Sequence, residues 1–204
     1  MPALKAIRYV VWAAVVVLAG VILWFTLVNR DSTGPGGSGG IVAASIGGPF
    51  QLVDQKGATV TEAALQGHPS ALFFGYTYCP DVCPTTLADM TIWLKDLGPG
   101  GDKLTFYFVT VDPERDTQEL MAAYLEAFDP RIVGLTGPRP AIDAMLKEYR
   151  VYSRKIEGTD GAPYSMDHTA SVYLLDDKAQ FVGTVDYQEK SEAVMAKLKR
   201  LVGA

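Results

Sequence analysis

The chain has 204 residues, of which 49% are hydrophobic and 20% are charged, and its formal net charge at pH 7 is −5. This length suits one folded domain with an attached segment. The negative charge argues against binding to nucleic acid, whose phosphates recruit lysine and arginine, and against an electrostatic attachment to anionic lipid.

The first predicted element is an uncharged apolar segment at residues 9–28, YVVWAAVVVLAGVILWFTLV. Twenty helical residues span about 30 Å, the thickness of the hydrocarbon core of a bilayer. Trp12 and Trp24 lie near its ends, where aromatic rings favour the membrane interface. We therefore predict one transmembrane helix at 9–28. A cleaved signal peptide would have a shorter apolar run with a small-x-small site after it, and a buried core helix would have a polar outer face.

The charges beside this segment predict its orientation. Lys5 and Arg8 precede it, so the positive-inside rule places residues 1–8 in the cytoplasm and the remainder across the membrane. Residues 1–8 are also too few for a mitochondrial transit peptide, which favours a bacterial inner membrane and a periplasmic domain. Residues 29–44 include DSTGPGGSGG, a composition typical of a flexible linker. The folded domain is predicted at 45–204.

The domain opens with strands and a helix that carries the cysteines. FQLVDQKGATVT at 50–61 alternates around a turn and predicts a β-hairpin. ALFFGY at 71–76 predicts a buried strand, and the helix after it has Pro84 in its first turn and apolar residues at every third or fourth position. LTFYFVTVD at 104–112 predicts a second strand, and Asp116 is predicted to cap the next helix.

The later part of the domain alternates in the same way. A helix is predicted at 141–149, a hairpin from 170–175 and 180–186, and a final helix at 191–202. Strands separated by helices imply parallel crossovers, so the fold class is α/β, thioredoxin-like, with an added N-terminal β-hairpin. Such sheets place their chemistry at the carboxyl ends of strands, where the cysteines follow strand 71–76.

The segment TYCPDVCP contains the two cysteines of the chain, Cys79 and Cys83. A structural disulfide between them would close a loop so short that it constrains the unfolded chain little. A redox dithiol is a second interpretation, because a helix N-terminus lowers a thiol's pKa, although the usual redox motif has two intervening residues. A metal site is the third, because residues at i and i+4 lie on one helix face.

A metal site needs a further ligand, and the chain has two histidines, His68 and His168. His68 precedes the strand that leads to the cysteines, so at about 3.3 Å per residue it should lie some 20 Å or more from the thiols. His168 comes just before strand 170–175 and can meet the cysteines if that strand is adjacent in the sheet. Two thiolates and one imidazole form a soft set that favours copper, because structural zinc normally has four ligands.

Two neighbours of His168 carry weaker signals. Met166 offers a thioether to a soft metal, although packing is the commoner role of methionine. Asp167 could orient the imidazole of His168 through a hydrogen bond, or it could be a turn residue.

Several segments of the domain together resemble one family, the SCO/SenC proteins. They are IGGPFQLVDQKG, FFGYTYCPDVCPTTL, FVTVDPERDT, AFDPRIVGLTG and the pair Asp167-His168 before a strand. The family consists of membrane-anchored, thioredoxin-like copper proteins that serve the assembly of cytochrome c oxidase. The resemblance implies that Cys79, Cys83 and His168 bind a copper ion, as Cu(I) or Cu(II). Tyr78 departs from the family pattern, in which many members have histidine, but this position is not a family ligand.

The resemblance also implies a function. The chain would be a membrane-anchored copper chaperone that supports maturation of the dinuclear copper site of cytochrome c oxidase subunit II and reduces the cysteines of that site. A periplasmic copper donor and a thiol reductant are further candidate partners. The alternative is a thiol–disulfide oxidoreductase of the extracytoplasmic space, with Cys79 and Cys83 as catalytic residues and no copper delivery. A thiol peroxidase is disfavoured, because Tyr76 stands where typical peroxiredoxins have threonine or serine.

The acidic segment DPERD at 112–116 is interpreted as structural. Pro113 ends the preceding strand and Asp116 caps the next helix. The alternative is that Asp112 helps to shape a partner-binding surface.

Overall fold

The computed structural model describes Trp12, residues 15–21, Leu23, Trp24, residues 46–159 and residues 161–203. The chain divides into two compact units, residues 1–44 and 45–204. The described residues of the first unit are helical, but in the described part of the chain no helix is both long and apolar enough to cross a membrane. The transmembrane helix at 9–28, part of which lies outside the described residues, and the linker at 29–44, all of which does, stay predictions.

The second unit is built around a β-sheet. Its described strands, in chain order, are β1 (Gln51–Asp54), β2 (Thr59–Thr61), β3 (Ser70–Gly75), β4 (Thr105–Thr110), β5 (Ile132–Thr136), β6 (Ser153–Ile156), β7 (Ser165–His168), β8 (Val172–Leu175) and β9 (Phe181–Val185). Seven of them form one sheet in the order β2-β1-β5-β4-β3-β8-β9, and β6 and β7 form a separate two-stranded ribbon. Strands β3, β4 and β5 are parallel, whereas β8 runs antiparallel to β3.

Helices connect the parallel strands. The described α-helices of this unit are α1 (Val82–Asp96), α2 (Gln118–Leu125), α3 (Arg139–Glu148) and α4 (Ser191–Val202). Helix α1 joins β3 to β4 and α2 joins β4 to β5, so both are parallel crossovers. The predicted α/β class, the N-terminal hairpin of β1 and β2 and the final helix at 191–202 are confirmed.

Strand β3 is the rigid element that leads to the cysteines. All six of its residues are buried, because it has a neighbouring strand on each side and helices cover the sheet. Its side chains alternate between the two faces: Phe73 stacks on Phe108 with ring centroids 5.9 Å apart, while Phe74 contacts Tyr149 at 5.8 Å. These contacts on both faces of β3 fix the position of its carboxyl end, where the site lies.

Some elements differ from the prediction. Strand β5 and the ribbon of β6 and β7 were not predicted: β5 is short and interrupted by Gly134, and β6, with the sequence SRKI, lacks an apolar alternation. The capping role of Asp116 is wrong. The residue before α2 is Thr117, whose hydroxyl accepts a hydrogen bond from the Leu120 N–H at 3.3 Å.

Candidate metal centre

The loop between β3 and α1 brings the two thiols together. Cys79 lies in this loop, and Cys83 is buried in the first turn of α1, which begins at Val82. The Cys83 N–H donates a hydrogen bond to the Sγ of Cys79 at 3.3 Å. Cys79 therefore precedes the helix, and the thiols converge because the loop folds back over the helix N-terminus. The expectation that both lie on one helix face is wrong in this detail.

Gly75, the last residue of β3, leaves room for the Cys83 side chain. A Cβ atom at this position would lie 2.8 Å from the Sγ of Cys83 and 2.7 Å from a ring carbon of Phe108. Both distances are far below van der Waals contact, so a larger residue would displace the thiol. The glycine at the strand end is thus required by the position of the site.

The ribbon presents His168 to the thiols. Its Nε2 lies 3.6 Å from the Sγ of Cys83, and its Nδ1 lies 2.9 Å from the carbonyl oxygen of Thr169. Because a carbonyl only accepts, Nδ1 carries the proton and the Nε2 lone pair faces the sulfur atoms. The condition that strand β8 be adjacent to β3 is met, with Val172 opposite Phe73.

The three predicted ligands form one cluster. The two Sγ atoms and an imidazole nitrogen of Cys79, Cys83 and His168 all lie within 4.8 Å of one another. Ligands with metal bonds of about 2.0–2.3 Å must lie about this close, so small side-chain movements would suffice to hold one ion. His68 lies outside this cluster and lines a groove with Asp102 and Lys103 near the start of β3.

The sequence profile of the SCO1/SenC family matches residues 39–203. The chain belongs to the SCO1/SenC family. It is 37% identical over 187 residues to protein SenC of Rhodobacter capsulatus, an alignment that covers 89% of this chain and 83% of that protein.

Solved structures of the SCO1/SenC family agree with this assignment. The copper-bound structure of Bradyrhizobium japonicum ScoI is 46% identical, with a TM-score of 0.71, and the match covers 77% of this chain and 99% of that one. Copper-bound yeast Sco1 is 36% identical, with a TM-score of 0.72, covering 78% and 90%. These structures and the cluster of two thiols and an imidazole confirm copper as the predicted ion.

The two thiols differ in acidity. The hydrogen bond from the Cys83 thiol lowers the pKa of Cys79 to about 4, against a smaller opposing effect of burial. The pKa of Cys83 is raised, first by its hydrogen bond to Cys79 and then by burial. At neutral pH the pair therefore consists of a Cys79 thiolate and a Cys83 thiol, so the site holds its first anionic sulfur ligand before any metal binds.

The acidity of Cys79 predicts its reactivity. In the reduced, metal-free chain, we expect alkylation of Cys79 by iodoacetamide to be nearly independent of pH between about 5 and 8, because a group with a pKa of about 4 is already ionised there. The same residue in denaturant, with a pKa of about 8.5, should react tenfold more slowly for each pH unit below that value. Peptide mapping by mass spectrometry identifies the modified cysteine, and buried Cys83 should react far more slowly. A folded-state rate that also falls tenfold per pH unit would show an ordinary thiol.

The sequence did not reveal the role of Asp116, which anchors the cysteine loop. Its side chain is fully buried, and its carboxylate accepts hydrogen bonds from the Thr77 N–H at 3.1 Å, the Thr77 hydroxyl at 2.6 Å and the Thr110 hydroxyl at 2.6 Å. Burial raises the pKa of Asp116. One feature of the sequence could have indicated this role. Asp116 follows β4, and the carboxyl end of β4 lies at the same edge of the sheet as the cysteines.

Asp112 is only 1% exposed, so it does not itself lie on a surface that a partner could contact. Whether it helps to shape such a surface stays a prediction. Its carboxylate accepts hydrogen bonds from the Nε of Arg115 and from the Tyr164 hydroxyl. It is therefore an internal acceptor that joins the segment after β4 to the start of β7.

Three neighbours of the ligands also have defined places. Met166 packs against the hydrophobic core. Asp167 is exposed and points to the opposite side of β7 from His168, so the carbonyl of Thr169 takes the orienting role considered for Asp167. Tyr78 is 58% exposed beside Cys79, and the guanidinium carbon of Arg115 lies 4.8 Å from its ring centroid.

Proposed function

We propose that the chain is a copper chaperone that holds one copper ion between Cys79, Cys83 and His168 and delivers it to cytochrome c oxidase subunit II. The observation that carries this proposal is the convergence of their three ligand atoms within 4.8 Å. Thiolates and imidazole are ligands that select Cu(I) over harder ions. The copper-bound relatives support the metal, and the family resemblance supports the oxidase as the target.

The site is suited to both binding and release. The imidazole is already in the tautomer that binds metal through Nε2, so little reorganisation is needed. Binding would release the proton of the Cys83 thiol, because the thiolate is the ligand form. Cys79 is partly exposed, so an incoming ligand of the acceptor can approach the ion from this side of the loop.

The proposed location is the bacterial inner membrane. The apolar segment at 9–28 would anchor the chain, with residues 1–8 in the cytoplasm, the linker at 29–44 and the domain at 45–204 in the periplasm. Anchoring would confine the domain to the plane of a membrane-bound oxidase and so raise its effective concentration there.

A second function, reduction of a partner's disulfide, is favoured by the thiolate character of Cys79. A thiolate with a free thiol beside it can attack a disulfide, after which the second cysteine resolves the mixed disulfide. Cysteines bind metal as thiolates and not as disulfides, so the same pair of residues could reduce the acceptor's cysteines and then deliver the ion.

The test is a transfer experiment with the full-length chain and the copper-binding domain of oxidase subunit II. We expect the reduced chain to bind one equivalent of Cu(I) in competition with a chromogenic chelator. After mixing with the reduced, metal-free acceptor and separating the proteins, the copper should be found on the acceptor. Copper that stays on the chain, or a chain that binds none, would contradict the chaperone function. If the metal-free chain nevertheless reduces the oxidised acceptor, the oxidoreductase function is the correct one.

A further inference from the structure

Arg115 lies between β4 and α2, and its guanidinium group contacts three aromatic rings at the metal centre. Its central carbon lies 3.7 Å from the ring centroid of Tyr164, 4.8 Å from that of Tyr78 and 5.5 Å from that of Tyr76. The Arg115 side chain is only 16% exposed, and attraction between a cation and an aromatic face is stronger when water is excluded. Its Nη2 is buried and has no hydrogen-bond partner in the described part of the chain. This is consistent with aromatic rings packed around the guanidinium group.

The other nitrogens of Arg115 make directed hydrogen bonds. Nη1 donates to the carbonyl oxygen of Tyr164 at 2.9 Å, and Nε donates to the Asp112 carboxylate. The second oxygen of that carboxylate accepts from the Tyr164 hydroxyl at 3.0 Å. A closed set of contacts therefore links Arg115, Tyr164 and Asp112. In this set the planar guanidinium both donates hydrogen bonds through its nitrogens and stacks on an aromatic ring.

This set joins the two segments that carry the ligands. Tyr76 and Tyr78 belong to the cysteine loop, and Tyr78 directly precedes Cys79. Tyr164 directly precedes β7, the strand that ends at His168. The ring of Tyr76 also meets the imidazole of His168 edge to face, with centroids 5.8 Å apart.

The ribbon that carries His168 needs such a connection. Strands β6 and β7 are hydrogen-bonded to each other and lie outside the seven-stranded sheet. A two-stranded hairpin alone is marginally stable in water, so its position depends on contacts with the rest of the domain. Arg115 supplies such contacts at the start of β7.

We propose that Arg115 is a positioning residue of the metal centre: it fastens the His168-bearing ribbon to the cysteine loop and so presets the distance between the imidazole and the two sulfur atoms. The inference rests on the proposed function for the metal, whereas the fastening itself is a property of the metal-free protein. Copper affinity would then depend on a residue that does not touch the ion, because a loosened histidine must be ordered again on binding.

A simpler role for Arg115 would be to compensate the charge of buried Asp112. The contacts distinguish this role from the positioning role. Arg139 also approaches this carboxylate, with Nη2 3.8 Å from an oxygen of Asp112, but among the described residues no ring contact joins Arg139 to the site. Tyr164→Ala removes the ring contact with Arg115 and the hydroxyl hydrogen bond to Asp112, and keeps only the hydrogen bond from Arg115 to the backbone carbonyl at position 164. It leaves the Arg115–Asp112 pair in place, so this variant avoids an unpaired buried charge. Arg115→Lys keeps the positive charge but loses the fork and the planar stacking face.

The experiment measures amide hydrogen exchange of the metal-free chain and its Cu(I) affinity. In both variants we expect the amides of β7 to exchange about tenfold faster or more, with no change in β3, because local opening is confined to the ribbon. Cu(I) affinity should fall about 10- to 100-fold, the usual effect of losing a residue that orients a ligand. In a His168→Ala background, the same substitutions should cause no further loss, because the ligand that they position is gone.

Lys155→Ala is the matched control. Its Nζ lies 4.1 Å from the ring centroid of Tyr164, but Lys155 belongs to β6, so its contact does not join the ribbon to the loop. It should change neither exchange in β7 nor copper affinity by more than about twofold, as for an exposed cation–aromatic contact. Unchanged β7 exchange in both Arg115→Lys and Tyr164→Ala would overturn the inference. Faster exchange in a chain that binds no copper would support the fastening and refute the proposed function instead.

Discussion

Replacing His168 by alanine is expected to abolish tight copper binding while leaving the cysteines able to exchange disulfides. Zinc sites with four ligands bind with about 10–16 kcal/mol, so one ligand contributes on the order of 3 kcal/mol, or about 100-fold in affinity. The loss of affinity should be at least this large at a site with only three ligands. The Nε2 of His168 lies 3.6 Å from the Sγ of Cys83. A competition titration of Cu(I) against a chromogenic chelator, with reduced full-length chain, measures it.

His68→Ala is the control for the loss of an imidazole, because His68 lies near the start of β3 and away from the thiols. It should bind copper as the wild type does. Reduction of a model disulfide by the His168→Ala variant should stay within a few-fold of wild type, since the largest effect on the acidity of Cys79 comes from Cys83. Copper affinity that is indifferent to His168 would rule out the three-ligand site and would favour a dithiol enzyme.

The sequence predicted that Cys79, Cys83 and His168 lie together, because their placement depends on regular structure. The apolar run of β3 and the periodic face of α1 place Cys79 and Cys83 at the carboxyl end of a central strand. The strand after His168 pairs with β3, so two correctly predicted elements sufficed to bring the third ligand near. The length of the strand between them was enough to predict that His68 lies away from the thiols.

The supporting residues could not be predicted in the same way. Strand β6 has charged residues where a half-buried strand would alternate. The position of the ribbon depends on Arg115 and Tyr164, which are 49 residues apart in the chain. Asp116 looked like a helix cap because the sequence around it fits that role. Its actual partner Thr77 is 39 residues away, and a hydrogen bond of such separation leaves no local signal.

Replacing Asp116 by alanine is expected to cause the largest loss of stability among these variants. The change removes the acceptor for the Thr77 N–H, the Thr77 hydroxyl and the Thr110 hydroxyl. The Thr110 hydroxyl is buried, so the loss of Asp116 removes the acceptor that its proton has in the wild type. Each buried donor left without an acceptor costs about 1–3 kcal/mol, so we expect the free energy of unfolding to fall by about 3–5 kcal/mol. Urea denaturation followed by circular dichroism measures this.

Asp116→Asn separates geometry from charge. The amide oxygen can still accept from Thr77, so the loss of stability should be about 1–2 kcal/mol, corresponding to one unsatisfied hydroxyl at Thr110. Asp177→Ala, at an exposed position, controls for the loss of a carboxylate and should leave stability within about 0.5 kcal/mol of wild type. A stability of Asp116→Ala equal to that of this control would contradict the anchoring role.

The same carboxylate links stability to pH. Burial raises the pKa of Asp116 above its ordinary value of 3.8, so between the two values the folded state binds more protons than the unfolded state. Stability therefore decreases as the pH rises from about 4 through the raised pKa, and this component should be absent from Asp116→Asn. The hydrogen bonds from Thr77 and Thr110 act against this shift, because they stabilise the charged form of the carboxylate. Thr77 is two residues from Cys79, so Asp116→Ala should also loosen the cysteine loop and lower Cu(I) affinity, even in the fraction of molecules that remains folded.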